Sequence, residues 1–594
     1  MVTHGTRTRV KSRIGKCERA VRSAVAVSMV AMIGAGMLAN SPARAQESGL
    51  LTPSTVTPAN VVFYAEVSLD ADSTQLKEFD DILTRLGAEE SLVEAIEESA
   101  TDPSSDLDLS GAEIAIGILP SALAAGADAS GDLIESATSG GVSDDLEEVG
   151  STAGDEGVVV VIRPQDIAEA EASAKESAGI DAESEDYLGI EIVSPVDSDD
   201  SIGTYAVVDD FLISGSNVDD IKAFIDVSQD EGDSLADFDE FQSTSDLLPA
   251  QRVGFAFANG PALLEAASDS LDDPSMATAL ADSVSAYSGY TGLVIAADEP
   301  GIRLEVVVVP GENASAAAAN GVAAELDMAN RVPGDTVVFA SGFDLGQSAI
   351  LNGLGLALVS IFSGLTSSSS FDDSDATPEP MSIDEMYESL ASSFGFNLKT
   401  GFIDQLVGPY GFAIWGIDSE DVADLNVALV SGVADETVLG DTLGTISLLV
   451  QAGGQGQINV TSRALEGGSV NHIEISEGGT ETSVDYGVVD GEFVLGVGDG
   501  AETVINGPNE SLADSTTYTT ALSYLPEEFQ AIYYLDIAQL EAAEQGMGDA
   551  GFSQDDLIID IIGTPGAGSQ AQSFAAVTYV QDGSYFTSGI LVVP

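Results

Sequence analysis

A stretch of about thirty residues occurs twice in this chain, and its spacing limits the fold more than any other feature. Ser-Leu-Ala-Asp at residues 234–237 recurs at 511–514, and Leu-Glu-Ala-Ala at 264–267 recurs at 540–543. The second copies follow the first by 277 and 276 residues, so the register hardly slips along the motif. A repeat at a fixed, long spacing indicates that a whole folding unit has been duplicated.

The pattern of apolar residues predicts an α+β fold with antiparallel sheets. Runs such as residues 158–162 (Val-Val-Val-Val-Ile) are typical of buried strands, and two-residue turns at 209–210 and 490–491 join neighbouring strands as hairpins. Helical patterns separate other strands but come in groups, which differs from the alternation of a doubly wound sheet. The sequence therefore predicts two pseudo-repeated lobes, residues 46–310 and 311–594, each an antiparallel sheet backed by helices.

The first 45 residues have the pattern of a cleaved signal peptide. Seven basic residues between positions 7 and 22 precede an apolar stretch at 23–38, and Ala-Arg-Ala at 43–45 matches a cleavage site. No Arg-Arg pair occurs there, which favours the general secretory pathway and a secreted or periplasmic location. Cys17 is the only cysteine and precedes the apolar stretch, so the mature chain would contain no thiol and no disulfide.

The net charge excludes several classes of partner. The chain has 99 acidic and 18 basic residues, a formal charge of −81. Removing residues 1–45, which carry eight basic residues and one acidic residue, changes −81 to −88. Nucleic acids bind through basic charge, so no nucleic-acid partner is expected. High salt would screen the self-repulsion of such a chain, and we interpret the acidity as adaptation to a saline environment, with cation binding as an alternative.

The two lobes differ most at residues 345–365. This stretch carries no charge, whereas its counterpart in the first lobe, residues 76–86, is a charged amphipathic helix. A helix that is apolar all round must be covered, by the other lobe, by another chain, or by an apolar ligand in a groove. Its length would also span a bilayer, but its polar residues favour no integral membrane span after signal cleavage. The candidate ligand-binding residues are Leu351, Leu354, Leu358, Ile361 and Phe362.

The sequence contains few groups typical of catalysis. The mature chain has one histidine, His472, which the repeat alignment places opposite Gly189 and which we therefore expect at a surface strand edge. No nucleophile elbow, zinc-binding helix or phosphate-binding loop occurs, and no cofactor is predicted. Paired carboxylates could serve glycoside hydrolysis, an alternative for which the sequence offers few stacking aromatics. We predict that the protein is not an enzyme.

Calcium is the metal that this composition could bind, because it prefers carboxylate and carbonyl oxygens. Residues 226–232 resemble the start of an EF-hand loop, but the glycine comes one position late. Residues 197–201 are also acidic but lack that glycine. Weak calcium binding is therefore a candidate property, and solvated acidic turns are the alternative.

The starts of the repeated strands resemble a known family. Residues 56–70, with a proline followed by Val-Val-Phe-Tyr-Ala-Glu-Val, are similar to the opening of the bacterial family called domain of unknown function 3352. Residues 394–399, followed by Leu-Val-Gly at 406–408 and a strand at 412–414, resemble a second segment of that family. The resemblance would cover most of residues 51–594, and it implies an exported bacterial protein with no catalytic residues to transfer.

These observations favour an exported, non-enzymatic structural or binding protein adapted to a saline environment. The alternative is an extracytoplasmic carrier or chaperone for a lipid or other apolar ligand, held by residues 345–365. A protein partner at the cell surface would fit the first hypothesis. An extractable ligand would fit the second.

Overall fold

The computed structural model describes most of the chain between residues 53 and 594. The described residues are 53–86, 88, 91–94, 96, 111–125, 157–178, 182–195, 203–270, 289–311, 327–345, 397–417, 425–453, 459–477, 480–540, 542, 570–581 and 583–594. The predicted signal peptide at 1–45 lies outside them.

The described residues form twenty strands. They are β1 (Phe63–Ser68), β2 (Glu113–Ile118), β3 (Val158–Arg163), β4 (Glu183–Tyr187), β5 (Ile190–Ser194), β6 (Thr204–Val208), β7 (Phe211–Gly215), β8 (Gly254–Asn259), β9 (Tyr290–Asp298), β10 (Gly301–Val309), β11 (Thr336–Phe343), β12 (Leu406–Trp415), β13 (Asn426–Val433), β14 (Val460–Leu465), β15 (Gly468–Glu477), β16 (Thr480–Val489), β17 (Glu492–Val497), β18 (Ala531–Asp536), β19 (Ser573–Gln581) and β20 (Ser584–Val592).

The helices lie between these strands. The α-helices are α1 (Thr74–Arg85), α2 (Pro120–Ala125), α3 (Ile167–Ala178), α4 (Val218–Ser228), α5 (Asp239–Asp246), α6 (Gly260–Ser270), α7 (Leu398–Gly401), α8 (Glu436–Gly453), α9 (Gly500–Asn506) and α10 (Thr516–Leu522). Short 3-10 helices occupy Pro53–Thr55, Leu235–Asp237, Asp327–Asn330, Ile403–Gln405 and Leu512–Asp514. The chain is therefore an α+β protein with antiparallel strand pairing, as the sequence predicts.

The chain divides into two compact units. The first contains residues 1–320, 551–571 and 578–594, and the second contains residues 321–550 and 572–577. The predicted second lobe, 311–594, included the C-terminal strand, whereas the structure groups residues 578–594 with the first unit. The reason is that β20 pairs with β10 over eight residue pairs, from Gly301↔Val592 to Val308↔Tyr585.

In the first unit the strands are ordered β4-β5-β6-β7-β3-β2-β1-β8-β9-β10-β20, and each neighbouring pair is antiparallel. The two-residue turn at 209–210 joins β6 to β7, as predicted. Asp209 has a φ of 52°, a left-handed conformation that Asp tolerates in tight hairpin turns. One cross-strand row of this unit runs Phe257–Tyr64–Gly117–Val159–Gly215–Thr204.

In the second unit the order is β14-β15-β16-β17-β13-β12-β11-β18, again antiparallel throughout. The turn at 490–491 joins β16 to β17, and Asp490 there has a φ of 50°. One cross-strand row runs Tyr534–Phe339–Ala413–Ala428–Gly496–Asp485. Each unit also contains an isolated bridge between a proline and a serine, Pro58↔Ser234 in the first and Pro333↔Ser511 in the second.

Helix α4 illustrates how the local sequence produces the core of the first unit. The Asn217 side chain accepts a hydrogen bond from the backbone N–H of Asp220, which caps the helix. Ile221, Phe224 and Ile225 follow at helical spacing, and all three are fully buried. They join Phe241 of α5 and Tyr64 of β1 in one apolar cluster. Each buried side chain of this size contributes about 1.5–3 kcal/mol.

The core of the second unit is built in the same way beneath α8. Leu439 and Leu443 lie one turn apart on this helix and are buried with Tyr410 of β12 and Phe493 of β17. Leu345 is fully buried in the same cluster. Helix α8 therefore covers the sheet with one face, and its other face points away from this core.

Candidate functional site: two buried charge networks

The apolar residues predicted to bind a ligand cannot be placed. Leu351, Leu354, Leu358, Ile361 and Phe362 lie outside the described residues. Of the uncharged stretch 345–365, the structure describes Leu345 alone, which packs in the core of the second unit. The groove hypothesis therefore stays a prediction.

The first charge network surrounds His472 on β15. Its Nδ1 lies 2.7 Å from Oδ1 of Asp485 on the neighbouring strand β16. The other carboxylate oxygen of Asp485 accepts a hydrogen bond of 2.7 Å from Nη1 of Arg463 on β14. Arg463 also donates to Glu502 on α9. Asp485 is completely buried, and 17% of the His472 side chain is exposed. Three adjacent strands and one helix are thus connected by charged side chains.

The prediction that His472 lies at a surface strand edge is wrong, because the repeat alignment was shifted at this hairpin. The first hairpin of each unit turns through a glycine in the left-handed region, Gly189 with a φ of 84° and Gly467 with a φ of 81°. A side chain at either position would be strained, so each turn favours glycine. His472 follows Gly467 by five residues, as Ser194 follows Gly189, and it is paired through β15 on both sides. It therefore lies inside the sheet, opposite Asp485.

The second charge network lies in the first unit, where β1 meets β8. Oε1 of Glu66 accepts a hydrogen bond of 3.3 Å from Nη2 of Arg252, and Oε2 accepts one of 2.7 Å from the hydroxyl of Tyr64. The Arg252 guanidinium lies 4.2 Å from the ring centroid of Phe255 and also contacts the hydroxyl of Ser245 on α5. The side chains of Glu66 and Arg252 are 10% and 4% exposed.

Burial shifts the protonation equilibria of this network. Loss of solvent raises the pKa of Glu66 from 4.5 to about 7, although Arg252 and the Tyr64 hydroxyl act in the opposite direction. The same loss of solvent lowers the pKa of Arg252. Burial penalises a charge on either partner, and the pair compensates only part of this cost. Glu66 therefore titrates near neutral pH.

An open pocket lies beside this network. Its polar lining is formed by Glu66, Ser68, Glu113 and Arg252, and the rest is largely apolar. Glu113 forms an ion pair of 3.4 Å with Arg163 on β3. A raised carboxyl pKa in a pocket is the pattern expected of a proton donor or acceptor, but structural ion pairs produce the same shift. The contacts of each group decide between these interpretations.

In both networks the buried carboxylate is hydrogen-bonded by other side chains of the same chain. Each oxygen of Asp485 and each oxygen of Glu66 accepts a hydrogen bond from a side chain of this chain. Satisfied, buried ion pairs of this kind fix the register of strands. What the geometry can do best is hold β14, β15 and β16 together in one unit, and β1, β8 and α5 together in the other.

The sequence analysis missed these networks, although it contained a signal for them. Only ten basic residues follow position 45, and two of them, Arg252 and Arg463, belong to these networks. In so acidic a chain, many carboxylates could form an ion pair with a basic residue in the sheet. Which carboxylate it contacts depends on cross-strand register, which the sequence alone does not give.

The acidic segments considered for calcium show no metal-binding geometry in the part of the chain that the structure describes. Within it, no group of three or more His, Cys, Asp or Glu side chains could hold a metal ion. Asp226 lies in the last turn of α4 and accepts a hydrogen bond of 2.9 Å from the Tyr187 hydroxyl. Residues 197–201 lie outside the described residues. Weak calcium binding stays a prediction.

No helix within the described ranges is both long enough and apolar enough to cross a membrane.

Comparison with known proteins identifies a family. Neither the curated proteins nor the solved structures include one that matches this chain. A family model described as protein of unknown function (DUF3352) matches residues 21–548, which is most of the chain and includes both charge networks. The chain therefore belongs to the DUF3352 family.

Proposed function

We propose that this protein is an exported, non-enzymatic structural or binding protein adapted to a saline environment. The observation that carries the proposal is how the rare cations are used. Of the ten basic side chains after residue 45, at least eight lie within 4 Å of a carboxylate: Lys77, Arg163, Lys175, Lys222, Arg252, Arg303, Arg331 and Arg463. The large excess of acidic groups has no such partners and must be balanced by ions from solution.

Salt stabilises a protein of this kind by screening. The screening length falls from about 10 Å at 0.1 M salt to about 3 Å at 1 M, so repulsion between surface carboxylates largely disappears. Self-repulsion of a net charge of −88 on the mature chain disfavours the compact state at low salt. A saline medium is therefore the condition under which this fold is most stable.

The test is thermal unfolding of the mature protein between about 0.1 and 2 M salt, a range chosen from the screening lengths. We expect the melting temperature to rise steadily with KCl and with NaCl. A specific cation site would instead saturate at millimolar concentrations of one ion, and CaCl2 at low concentration is the control. A melting temperature that does not change with salt would contradict the proposal.

The absence of enzymatic activity is also proposed, on the ground that the buried carboxylates of both networks are satisfied by internal donors. The proposal includes a secretory leader cleaved before Gln46. N-terminal sequencing of the exported protein should begin at that residue. The carrier hypothesis remains the alternative, and solvent extraction followed by mass spectrometry would detect its ligand.

We further propose that the two units are pseudo-repeated lobes. The two six-residue rows, one from Phe257 to Thr204 and the other from Tyr534 to Asp485, cross strands in the same order and with the same register. The hairpin turns Asp209 and Asp490 occur at corresponding positions and share a left-handed backbone. Duplication of one ancestral unit explains this agreement better than independent origin.

A further inference from the structure

The second unit has a surface without acidic residues in a chain that is acidic almost everywhere. Residues 442–465 contain no Asp and no Glu over 24 positions, and their only charge is Arg463. The whole chain has 99 acidic residues in 594, one in six, so a run of 24 would hold four. The acid-free run covers the C-terminal part of α8 and the whole of β14. We call the outward side of residues 442–453 of α8, together with that of β14, the acid-free face.

The helical part of the acid-free face exposes apolar and small residues. Leu448 is 68% exposed, the highest exposure among the large apolar side chains that stand out from the described surface. Gly444 lies one turn earlier on the same stripe, and Gly440 lies two turns earlier, just before the acid-free run. A β-carbon placed on either glycine would meet no atom within 4 Å. Another helix could therefore approach α8 closely along this stripe.

The strand part of the acid-free face is an open sheet edge. β14 pairs with β15 along one side, and no other described strand pairs with it. Thr461, Ser462 and Ala464 are exposed along it. The Gln451 amide of α8 donates to the carbonyl oxygen of Val460, at a distance of 3.3 Å, which holds the end of the helix beside this edge. Unpaired backbone groups of an edge strand are a template for another strand.

The corresponding edge of the first unit is protected. β4 pairs only with β5 among the described strands, and it carries Glu183, Glu185 and Asp186 within five exposed or nearly exposed residues. Charged side chains on an edge prevent pairing with another chain, because like charges would oppose each other across the new pair. β14 lacks this protection although acidic residues are abundant in the rest of the chain.

We propose that the acid-free face binds the same face of a second copy, with β14 pairing antiparallel to β14 of its partner across a two-fold axis. A two-fold interface brings a surface against itself, so any acidic patch of this chain would meet its own charge. A face without acidic residues is free of that repulsion. An axis perpendicular to the sheet also keeps both copies of α8 on one side of the continued sheet.

The charge distribution favours a second copy over a different partner. A cationic partner would bind more strongly to the acidic surface than to the acid-free face. An antiparallel strand edge is complementary to itself without any further feature. The strand that would pair has only six residues, so we expect a small interface and a dimer that dissociates on dilution.

The experiment measures the mass of the full mature chain by sedimentation and light scattering in about 2 M KCl, where overall repulsion is screened. Wild type should show a dimer that dissociates on dilution. Ser462→Glu places an acid on the open edge and should raise the dissociation constant at least about tenfold, because like charges then oppose each other. Ser184→Glu makes the same change at the matching position of β4 and should leave the dissociation constant unchanged.

A second pair of variants tests the helix without touching the strand. Leu448→Glu should also raise the dissociation constant. Because Leu448 is 68% exposed, the substitution leaves the core of the unit intact. Leu263→Glu, at a 43% exposed position of α6, is the matched control. Melting temperatures of all four variants verify that they fold. A wild type that is monomeric at every concentration, or a dimer insensitive to Ser462→Glu and Leu448→Glu, overturns the proposal.

Discussion

In each unit a side-chain pair joins the second strand of the first hairpin to the next strand, but the first unit uses hydroxyls where the second uses charges. In the first unit the hydroxyls of Ser194 and Thr204 lie 3.1 Å apart. In the second unit the matching positions are His472 and Asp485, 2.7 Å apart. The backbone register is the same in both, since the tight glycine turn precedes each pair by five residues.

The edge strands next to these pairs, β4 and β14, also differ in the charge that they carry. Glu185 of β4 forms an ion pair of 2.9 Å with Lys222 of α4, at the exposed side of the first unit. The matching residue of β14 is Arg463, which donates inward to Asp485 and also to Glu502 of α9. The ion pair between strand and helix is thus reversed in sign, and in the second unit it is extended into the sheet.

A second position shows the opposite distribution of charge. Glu66 on β1 lies opposite Phe255 and is buried with Arg252. The matching Ser341 on β11 lies opposite Ile532, and its hydroxyl donates to the carbonyl oxygen of Tyr410. Each unit therefore buries a charge network where the other has a hydroxyl. The shared sheet does not require either network, so each must be explained by its own unit.

The comparison is tested most strongly by Asp485→Thr, which gives the second unit the residue of the first. It leaves His472 and Arg463 without their buried partner, and loss of one partner of a buried ion pair costs 3–5 kcal/mol. Arg463 keeps Glu502 and is 29% exposed, so we expect about 3 kcal/mol, the low end of that range. Denaturant unfolding at high salt measures the loss.

The double variant Asp485→Thr with His472→Ser sharpens this test, because it replaces the charged pair with a hydroxyl pair. We expect it to recover about 1 kcal/mol relative to the sum of the single changes, a typical coupling between contacting residues. Additive effects would mean that the two side chains do not act as a pair.

The Glu66 network gives a prediction about pH. A carboxyl whose pKa is raised on folding, here from 4.5 to about 7, binds its proton more tightly in the folded state. The free energy of unfolding therefore falls as pH rises through this interval and is constant above it. We expect the contribution of Glu66 to fall by about 2–3 kcal/mol between about pH 5 and pH 8.

The difference in unfolding free energy between wild type and Glu66→Gln isolates this contribution, since the other acidic residues cancel. Ser341→Ala changes the matching position of the second unit without altering a titrating group. Its difference from wild type should not depend on pH. A pH-independent difference for Glu66→Gln would show that Glu66 is not the titrating group.

The smallest expected effect concerns the hydroxyl pair of the first unit. Thr204→Val keeps the shape of the buried side chain but removes the contact with Ser194. A single neutral hydrogen bond contributes about 1 kcal/mol, so we expect a loss of that size by denaturant unfolding. A loss as large as that of Asp485→Thr would mean that the charges add nothing to the second unit.

The sequence predicted the local elements well. A strand was expected at 158–162 and is found at Val158–Arg163. The hairpin at 209–210 was also correct. These predictions succeed because apolar periodicity and turn chemistry depend on residues close together in the chain. The family resemblance, resting on strand starts and a glycine-containing segment, was confirmed by the match over residues 21–548.

The sequence did not predict the surroundings of His472. Its position depended on an alignment of two hairpins, and a shift of five residues moved it from an interior strand to a turn. The C-terminal strand was placed in the second lobe for a similar reason, since sequence order suggested it and the pairing of β20 with β10 was not visible. Both errors concern contacts between residues that are far apart in the chain.

The amino-acid sequence by itself determined the α+β class, the positions of most strands and the extreme acidity of the surface. These follow from composition and from spacing over a few residues. The tertiary structure decided which of the many carboxylates meet the few cations, which strand edge lacks acidic protection, and where the last strand belongs. Each of these depends on cross-strand register, and register is set by the packing of the whole sheet on its helices.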